Sequence, residues 1–187
     1  MPAFLHHRRQ SIEKLLGTST SAFVAHADGS FQLEQIVADF LDEAVATYRA
    51  LGAAERENEM VALRAEVVEA HRGVNPLTLE RTSTHRRDMQ RGIALHVLRV
   101  SGERLRTDHA ATGDALSDLR SQLTPLAAYS LQAGMVPAGE VTPAEVEHAW
   151  KLLSEDPQSS AAVRRVEMSF SSIDVHLVFG DLLALSR

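Results

Sequence analysis

Between Gln32 and Leu51, apolar side chains fall at Leu33, Ile36, Val37, Phe40, Leu41, Ala44, Val45, Tyr48 and Leu51, in steps of three and four. That spacing keeps one face of an α-helix apolar and predicts an amphipathic helix over the stretch. Asp28-Gly29-Ser30 precedes it as a turn in which Ser30 is a candidate N-cap, and Gly52 stops it. A second helix follows through Met60, Leu63, Val67 and Ala70 and ends at Gly73, with Pro76 just beyond. The short link at Gly52 makes the two helices antiparallel neighbours.

From Thr84 onward a longer register begins. Leu95, Leu98, Gly102, Leu105, His109, Thr112, Leu116, Leu119, Leu123 and Leu126 alternate steps of three and four, the seam of a helix packed lengthwise on a partner. Gly102, His109 and Thr112 are poor core residues, so the segment is either one long helix or two with a break near Gly102. Past the turn residues Gly134, Pro137 and Gly139, Thr142-Pro143-Ala144-Glu145 forms a capping box that opens a short helix to about Leu153. The final segment places Val163, Val166, Phe170, Ile173 and Leu177 in heptad steps, with Val178, Leu182 and Leu185 on a slightly rotated stripe. Ile173, Val175, Leu177 and Phe179 also alternate as a strand would. The stripe nevertheless runs over more than about 20 residues, well past the usual strand length of roughly 5 or 6, and so predicts a single helix. The class is all-α, with an N-terminal helical module over residues 1–76 and a long helix and hairpin over 77–187.

Composition narrows the chemistry. With no cysteine, the 187-residue chain has neither disulfides, thiolate nucleophiles nor zinc-thiolate sites. No signal-peptide pattern is present, and no apolar run approaches the roughly 18 residues of a membrane span, which predicts a soluble, cytoplasmic protein. The net charge of -6 argues against nucleic acid as a partner. Charge is uneven, since Arg81 to Arg106 carries seven arginines against Asp88 and Glu103. The plain expectation is a solvated helix face whose arginines pair with acidic neighbours.

Nine histidines invite a search for ligands. Glu145-Val146-Glu147-His148 is a Glu-x-x-His, half of the motif that di-iron helical bundles use. The second copy is missing and Glu145 is already engaged as a capping residue, so no metal site and no cofactor are expected. His6-His7 lies near the N-terminus, where a surface role is expected, and His109 sits on the seam as a hydrogen-bonded packing residue. His85, His96 and His176 could meet only through tertiary contacts. No nucleophile elbow, phosphate-cradling loop or dinucleotide fingerprint occurs, and nothing in composition or spacing demands an enzyme.

The stretch SDLRSQLTPL, Ser117 to Leu126, is more specific. It resembles the phosphoacceptor box of sensor histidine kinases, approximately His-Glu/Asp-Leu-Arg-Thr/Ser-Pro-Leu-Thr. Asp118, Leu119, Arg120, Ser121, Leu123 and Thr124 match, Gln122 stands where that family usually has Pro, and Ser117 occupies the phosphoacceptor position. The closing LLALSR, Leu182 to Arg187, is similar to the Leu-Ser-Arg ending of the second helix of that family's hairpin. The connection between the two segments is longer than the family's and contains the extra capped helix.

The resemblance implies a homodimeric four-helix bundle, two helices from each protomer, without the ATP-binding domain. Ser cannot replace the imidazole that carries the phosphoryl group, so it implies no catalysis. Ser117 follows seam residue Leu116 and faces outward, and Asp118, Arg120, Ser121 and Gln122 become a docking surface for a response-regulator-like protein. Pro125 reads as the bend that such boxes tolerate. The expected function is therefore a non-catalytic signal-transduction or adaptor protein. The alternatives are a phosphorelay carrier using another histidine, His109 or His85, or a helical sensor binding haem or a metal.

Overall fold

A computed structural model describes residues 4–30, 32–81, 86–136 and 141–185. Among them it forms seven α-helices and no strand: α1 (Leu5–Ala27), α2 (Leu33–Ala50), α3 (Ala54–His71), α4 (Arg86–Gln132), α5 (Pro143–Glu155), α6 (Ser160–Ser169) and α7 (Ser172–Leu185). No helix is long and apolar enough among these residues to cross a membrane. Thr84, His85, Pro137, Gly139 and the Ser186-Arg187 end of the LLALSR motif lie outside the described residues.

The chain divides into two compact units, one containing residues 7–111 and the other residues 4–6 and 112–187. The division falls inside α4, not near Pro76, because the stripes of α1, α2 and α3 close only over a fourth helix. In the first unit Ile12 and Leu15 of α1, Phe40, Leu41 and Tyr48 of α2, Met60 of α3, and Val97, Leu98 and Leu105 of α4 are fully buried in one core. This is a four-helix arrangement completed within a single chain.

Local chemistry sets its turns. At the end of α2, Gly52 N–H donates to Arg49 O at 3.0 Å and Ala53 N–H to Tyr48 O at 2.9 Å, a Schellman closure. Its left-handed residue is Gly52, with φ 67°; Gly73, with φ 83°, does the same after α3. Ser30 is not the N-cap of α2: that position is Gln32, which makes no side-chain cap, and the Ser30 hydroxyl accepts from Gln32 N–H at 3.2 Å. Gly102 does not break α4. It is buried where an added Cβ would come within 3.6 Å of Ser19 Oγ and 3.8 Å of the Phe23 ring, so the seam's weak position is a close approach to α1.

A buried carboxylate joins three helices of this unit. Asp108 of α4 accepts from the Tyr48 hydroxyl of α2 at 2.8 Å and from Arg56 of α3 through Nε, at 3.1 and 3.0 Å to its two oxygens, and Nη2 at 3.1 Å. Arg56 also donates to Glu59 at 2.9 Å, and Arg104 lies 3.4 Å from the same Glu59 oxygen. Hydrogen bonding to Asp108 raises the Arg56 pKa, and burial together with the bond to Asp108 raises that of Tyr48, so both stay protonated donors.

The second unit packs the 112–132 portion of α4 with α5, α6 and α7. Leu119, Leu123, Ala149, Leu153, Val163, Val175, Phe179 and Leu183 are fully buried, and Trp150 meets Phe179 edge-on at 5.3 Å between ring centroids. The capping box before α5 forms as the sequence indicates: Glu145 N–H donates to Thr142 Oγ1 at 3.3 Å and Thr142 N–H to Glu145 Oε2 at 2.7 Å. The expected single C-terminal helix is two. The chain turns extended at Phe170 (φ -131°, ψ 158°), and Ser171 caps a new helix by accepting from Asp174 N–H at 3.1 Å.

Asp174, 1% exposed, does more than complete that cap. Its carboxylate accepts from Ser171 Oγ at 2.7 Å and, within the same unit, from the backbone N–H of Leu5 at 2.8 Å and of His6 at 3.1 Å. His6 Nδ1 also lies 2.9 Å from it, so His6 is not a bare surface residue. Free N–H groups at a helix start attract an anion, and here the carboxylate supplies it. Burial alone raises the Asp174 pKa, but the bonds from Ser171, His6 and the two backbone groups outweigh it and hold the carboxyl below its ordinary value.

Asp108→Ala leaves Arg56 and Tyr48 without their acceptor and is expected to cost about 3–5 kcal/mol in urea unfolding; a loss below about 1 kcal/mol would show the network to be dispensable. For Asp174, a folded pKa below the unfolded value of about 3.9 means that its stabilisation is complete above that value and is lost as pH falls through the folded pKa. Asp174→Asn is therefore expected to lower stability at pH 7 and to flatten the wild-type loss below about pH 4. Identical acid-unfolding profiles for the two proteins would refute this.

Candidate functional site

The kinase-like stretch lies in the second unit's portion of α4, and the helix sorts it into two faces. Leu119 and Leu123 are fully buried and Leu126 nearly so, while Ser117, Asp118, Arg120 and Ser121 are exposed and Gln122 is half-buried. The five polar positions thus form one continuous surface row above a leucine seam. Gln122 Nε2 donates to Asp118 Oδ2 at 3.1 Å, one turn away, which holds these two side chains of the row relative to each other. Ser117 Oγ has no hydrogen-bond partner among the described residues, so no neighbouring base activates it.

Pro125 sits inside α4 without ending it. Having no N–H, it cannot donate to the Ser121 carbonyl one turn back, and that acceptor loses its usual helical partner. One residue back, the Thr124 hydroxyl donates to Arg120 O at 2.8 Å. Gln122 Oε1 is buried and unpaired. A cleft of about 260 Å³ opens beside these groups, between Gln122, Pro125 and Tyr129 of α4 and Gln158, Ser159 and Ala162 at the start of α6. Across it, the Tyr129 phenol is hydrogen-bonded to the Asp156 carboxylate, which raises the phenol's pKa, and Ser159 Oγ donates to Asp156 Oδ2 at 3.0 Å.

The cleft's far wall was not legible in the sequence, because Gln158 and Ser159 precede a helix whose packing on α4 no local pattern encodes. The stretch Asp156-Pro157 marked only a stop.

Among the described residues the histidines do not converge. His109 Nε2 lies 3.1 Å from Glu13 Oε1, and this bond and one from Arg9 hold the Glu13 carboxyl below its ordinary pKa. His71 pairs with Glu34 at 2.9 Å, His7 with Ser11 at 3.1 Å, and His176 meets the Trp150 ring edge-on at 6.2 Å. His148 of the Glu-x-x-His is exposed. Among the described residues no group of three or more His, Asp or Glu side chains is placed to hold a metal ion.

The arginine-rich segment departs from expectation in one respect. Arg104 reaches Glu59 and Arg86 donates to His71 O, but Arg87, Arg91, Arg99 and Arg106 make no ion pair among the described residues. These are exposed side chains that water solvates without an acidic partner.

Chemically, the row from Ser117 to Gln122 offers a carboxylate, a guanidinium, two hydroxyls and an amide on a rigid helix, and no activated nucleophile. No family model, curated protein or solved structure matches this chain.

Replacing Pro125 by Ala restores the missing backbone donor at an exposed position. Pro125→Ala is expected to raise stability by about 1–3 kcal/mol in urea unfolding; a destabilised variant would mean that the ring's contacts in the cleft outweigh the lost hydrogen bond.

Proposed function

We propose that the protein is a non-catalytic signal-transduction or adaptor protein of the cytoplasm that acts as a homodimer. It docks a response-regulator-like partner on the face formed by Asp118, Arg120, Ser121 and Gln122, with Ser117 at the position of a kinase's phosphoacceptor. The observation that carries this reading is the exposed polar row on α4 with no activated nucleophile in it. A partner's complementary charges would meet both signs within one helical turn, an arrangement that selects orientation more than it adds affinity. Because the leucines beneath the row are covered within the chain, dimerisation has to use another surface.

The second reading is a phosphorelay carrier using His109, whose ring is oriented by Glu13. It differs in its product, an acid-labile phosphate that appears after incubation with a phosphorylated receiver domain and disappears in His109→Ala.

The adaptor reading is tested with γ-labelled ATP and with a purified receiver domain. No phosphate uptake from ATP is expected, and label on Ser117 or on any histidine would overturn the non-catalytic claim. In calorimetric titration, the double reversal Asp118→Arg, Arg120→Glu is expected to weaken receiver binding about 10-fold or more. Unchanged binding would remove the docking face.

A further inference from the structure

In the first unit the start of α4 faces the start of α2 across a pocket of about 340 Å³. That is within the roughly 300–1,000 Å³ of small-ligand pockets. Arg87 and Arg91 line its α4 wall, one helical turn apart and so on one face. Neither makes an ion pair or a hydrogen bond among the described residues. Like charges at that spacing repel, and an anion set between the two guanidiniums relieves the repulsion.

The facing wall offers donors. Gln32, the N-cap of α2, makes no side-chain cap, and the backbone N–H groups of Leu33, Glu34 and Gln35 after it have no partner among the described residues. A helix of 18 residues begins there, so its positive dipole end lies at the pocket where Leu33 and Glu34 line it. Glu34 is the acid among the described lining residues, and its Oε2 is drawn to the α3 side, 2.9 Å from His71 Nδ1. At the α1–α2 turn Gly29 has φ 70°, and an added Cβ would stand 3.1 Å from Arg91 Nη2. The guanidinium of Arg91 therefore lies against a bare turn.

Gln90, between the two arginines, is 8% exposed and also lines the pocket. Its Nε2 donates to Ala70 O at 3.3 Å, which leaves Oε1 without a partner among the described residues. An acceptor this buried needs a donor, and an anion by itself does not supply one.

We propose that this pocket binds a small phosphomonoester that also carries a hydroxyl group. Arg87 and Arg91 hold the phosphate oxygens, the first-turn N–H groups of α2 donate to the same phosphate, and Gln90 Oε1 accepts from the hydroxyl. A phosphate monoester brings close to two negative charges and three acceptor oxygens to these donors, where a carboxylate brings one charge and two oxygens. This ligand lies outside the adaptor reading and does not depend on it, because its site belongs to the first unit and the polar row to the second.

Calorimetric titration of the full chain with glycerol phosphate, inorganic phosphate, succinate and glycerol provides the test. Glycerol phosphate is expected to bind at least about 3-fold more tightly than inorganic phosphate, with succinate and glycerol at least about 10-fold weaker than either. Arg87→Gln with Arg91→Gln, at two exposed positions, is expected to weaken phosphate binding about 10-fold or more with an unchanged circular-dichroism spectrum. Arg99→Gln with Arg106→Gln removes the same charge from exposed positions that do not line the pocket, and is expected to leave binding as it was. A dissociation constant for inorganic phosphate weaker than about 10 mM overturns the site. So does unchanged binding in the Arg87 and Arg91 variant, and so does an equal loss in both double variants, which is attraction to a positive surface only. Succinate binding as tightly as phosphate overturns the phosphomonoester in favour of a carboxylate ligand. Equal affinity for inorganic phosphate and glycerol phosphate overturns the part assigned to Gln90.

Discussion

The structure depends on covering the apolar seam of α4 from within the chain. A helix of 47 residues with leucines along one side cannot stand in water uncovered, and most of its stability has to come from packing that side. The first unit buries Leu98 and Leu105 against α1, α2 and α3, and the second buries Leu119, Leu123 and Leu126 against α5, α6 and α7. Each unit is therefore built around its own part of one helix. This also removes the reason for a hairpin that dimerises through that seam, since the apolar stripe which would need a second protomer is already satisfied.

Two buried carboxylates fix what apolar packing leaves free. Leucine burial is non-directional and tolerates sliding, whereas a hydrogen-bonded charge does not. Asp108 acts across helices: Tyr48 and Arg56 come from two different neighbours and meet its oxygens from the side. Asp174 acts on helix starts, gathering the N–H groups of Leu5 and His6 together with the cap of α7. In both cases removing the acid would strand donors in a dry environment, so the cost is set by what is left behind more than by the bond itself.

What was legible in the sequence follows the range of the interactions. The α2 and α3 stripes, the glycine closures at Gly52 and Gly73 and the box at Thr142 to Glu145 all involve residues within about five positions of one another, and each formed where its residues indicated. The break at Phe170 was hidden because the same serines that tolerate a helix can also end one; the decision belongs to Asp174, which is held by residues at the other end of the chain. Tyr48, Arg56 and Asp108 looked like ordinary helix residues for the same reason. Of the candidate site, the row from Ser117 to Gln122 could be read from its alternation with leucines, while the cleft beside it could not. On α7 the rotated positions Val178 and Leu182 enter the core, while Ile173 and Leu177, which continued the heptad steps of the preceding segment, are half-exposed, because the break at Phe170 turns the new helix to another face.

Pro125 ties these points together. A proline inside a helix costs on the order of 3 kcal/mol, and a buried unpaired amide oxygen such as Gln122 Oε1 adds about 1–3 kcal/mol. Both defects lie within three turns of Ser117, yet α4 runs through them unbroken. Propensity cannot hold the helix there; the burial of Leu119, Leu123, Leu126 and Ala127 against the second unit's core does. The helix around the polar row is thus the part of α4 whose persistence rests most on tertiary contacts and least on its own hydrogen bonds. Anything that loosens α6 or α7 from it would be felt first at this surface.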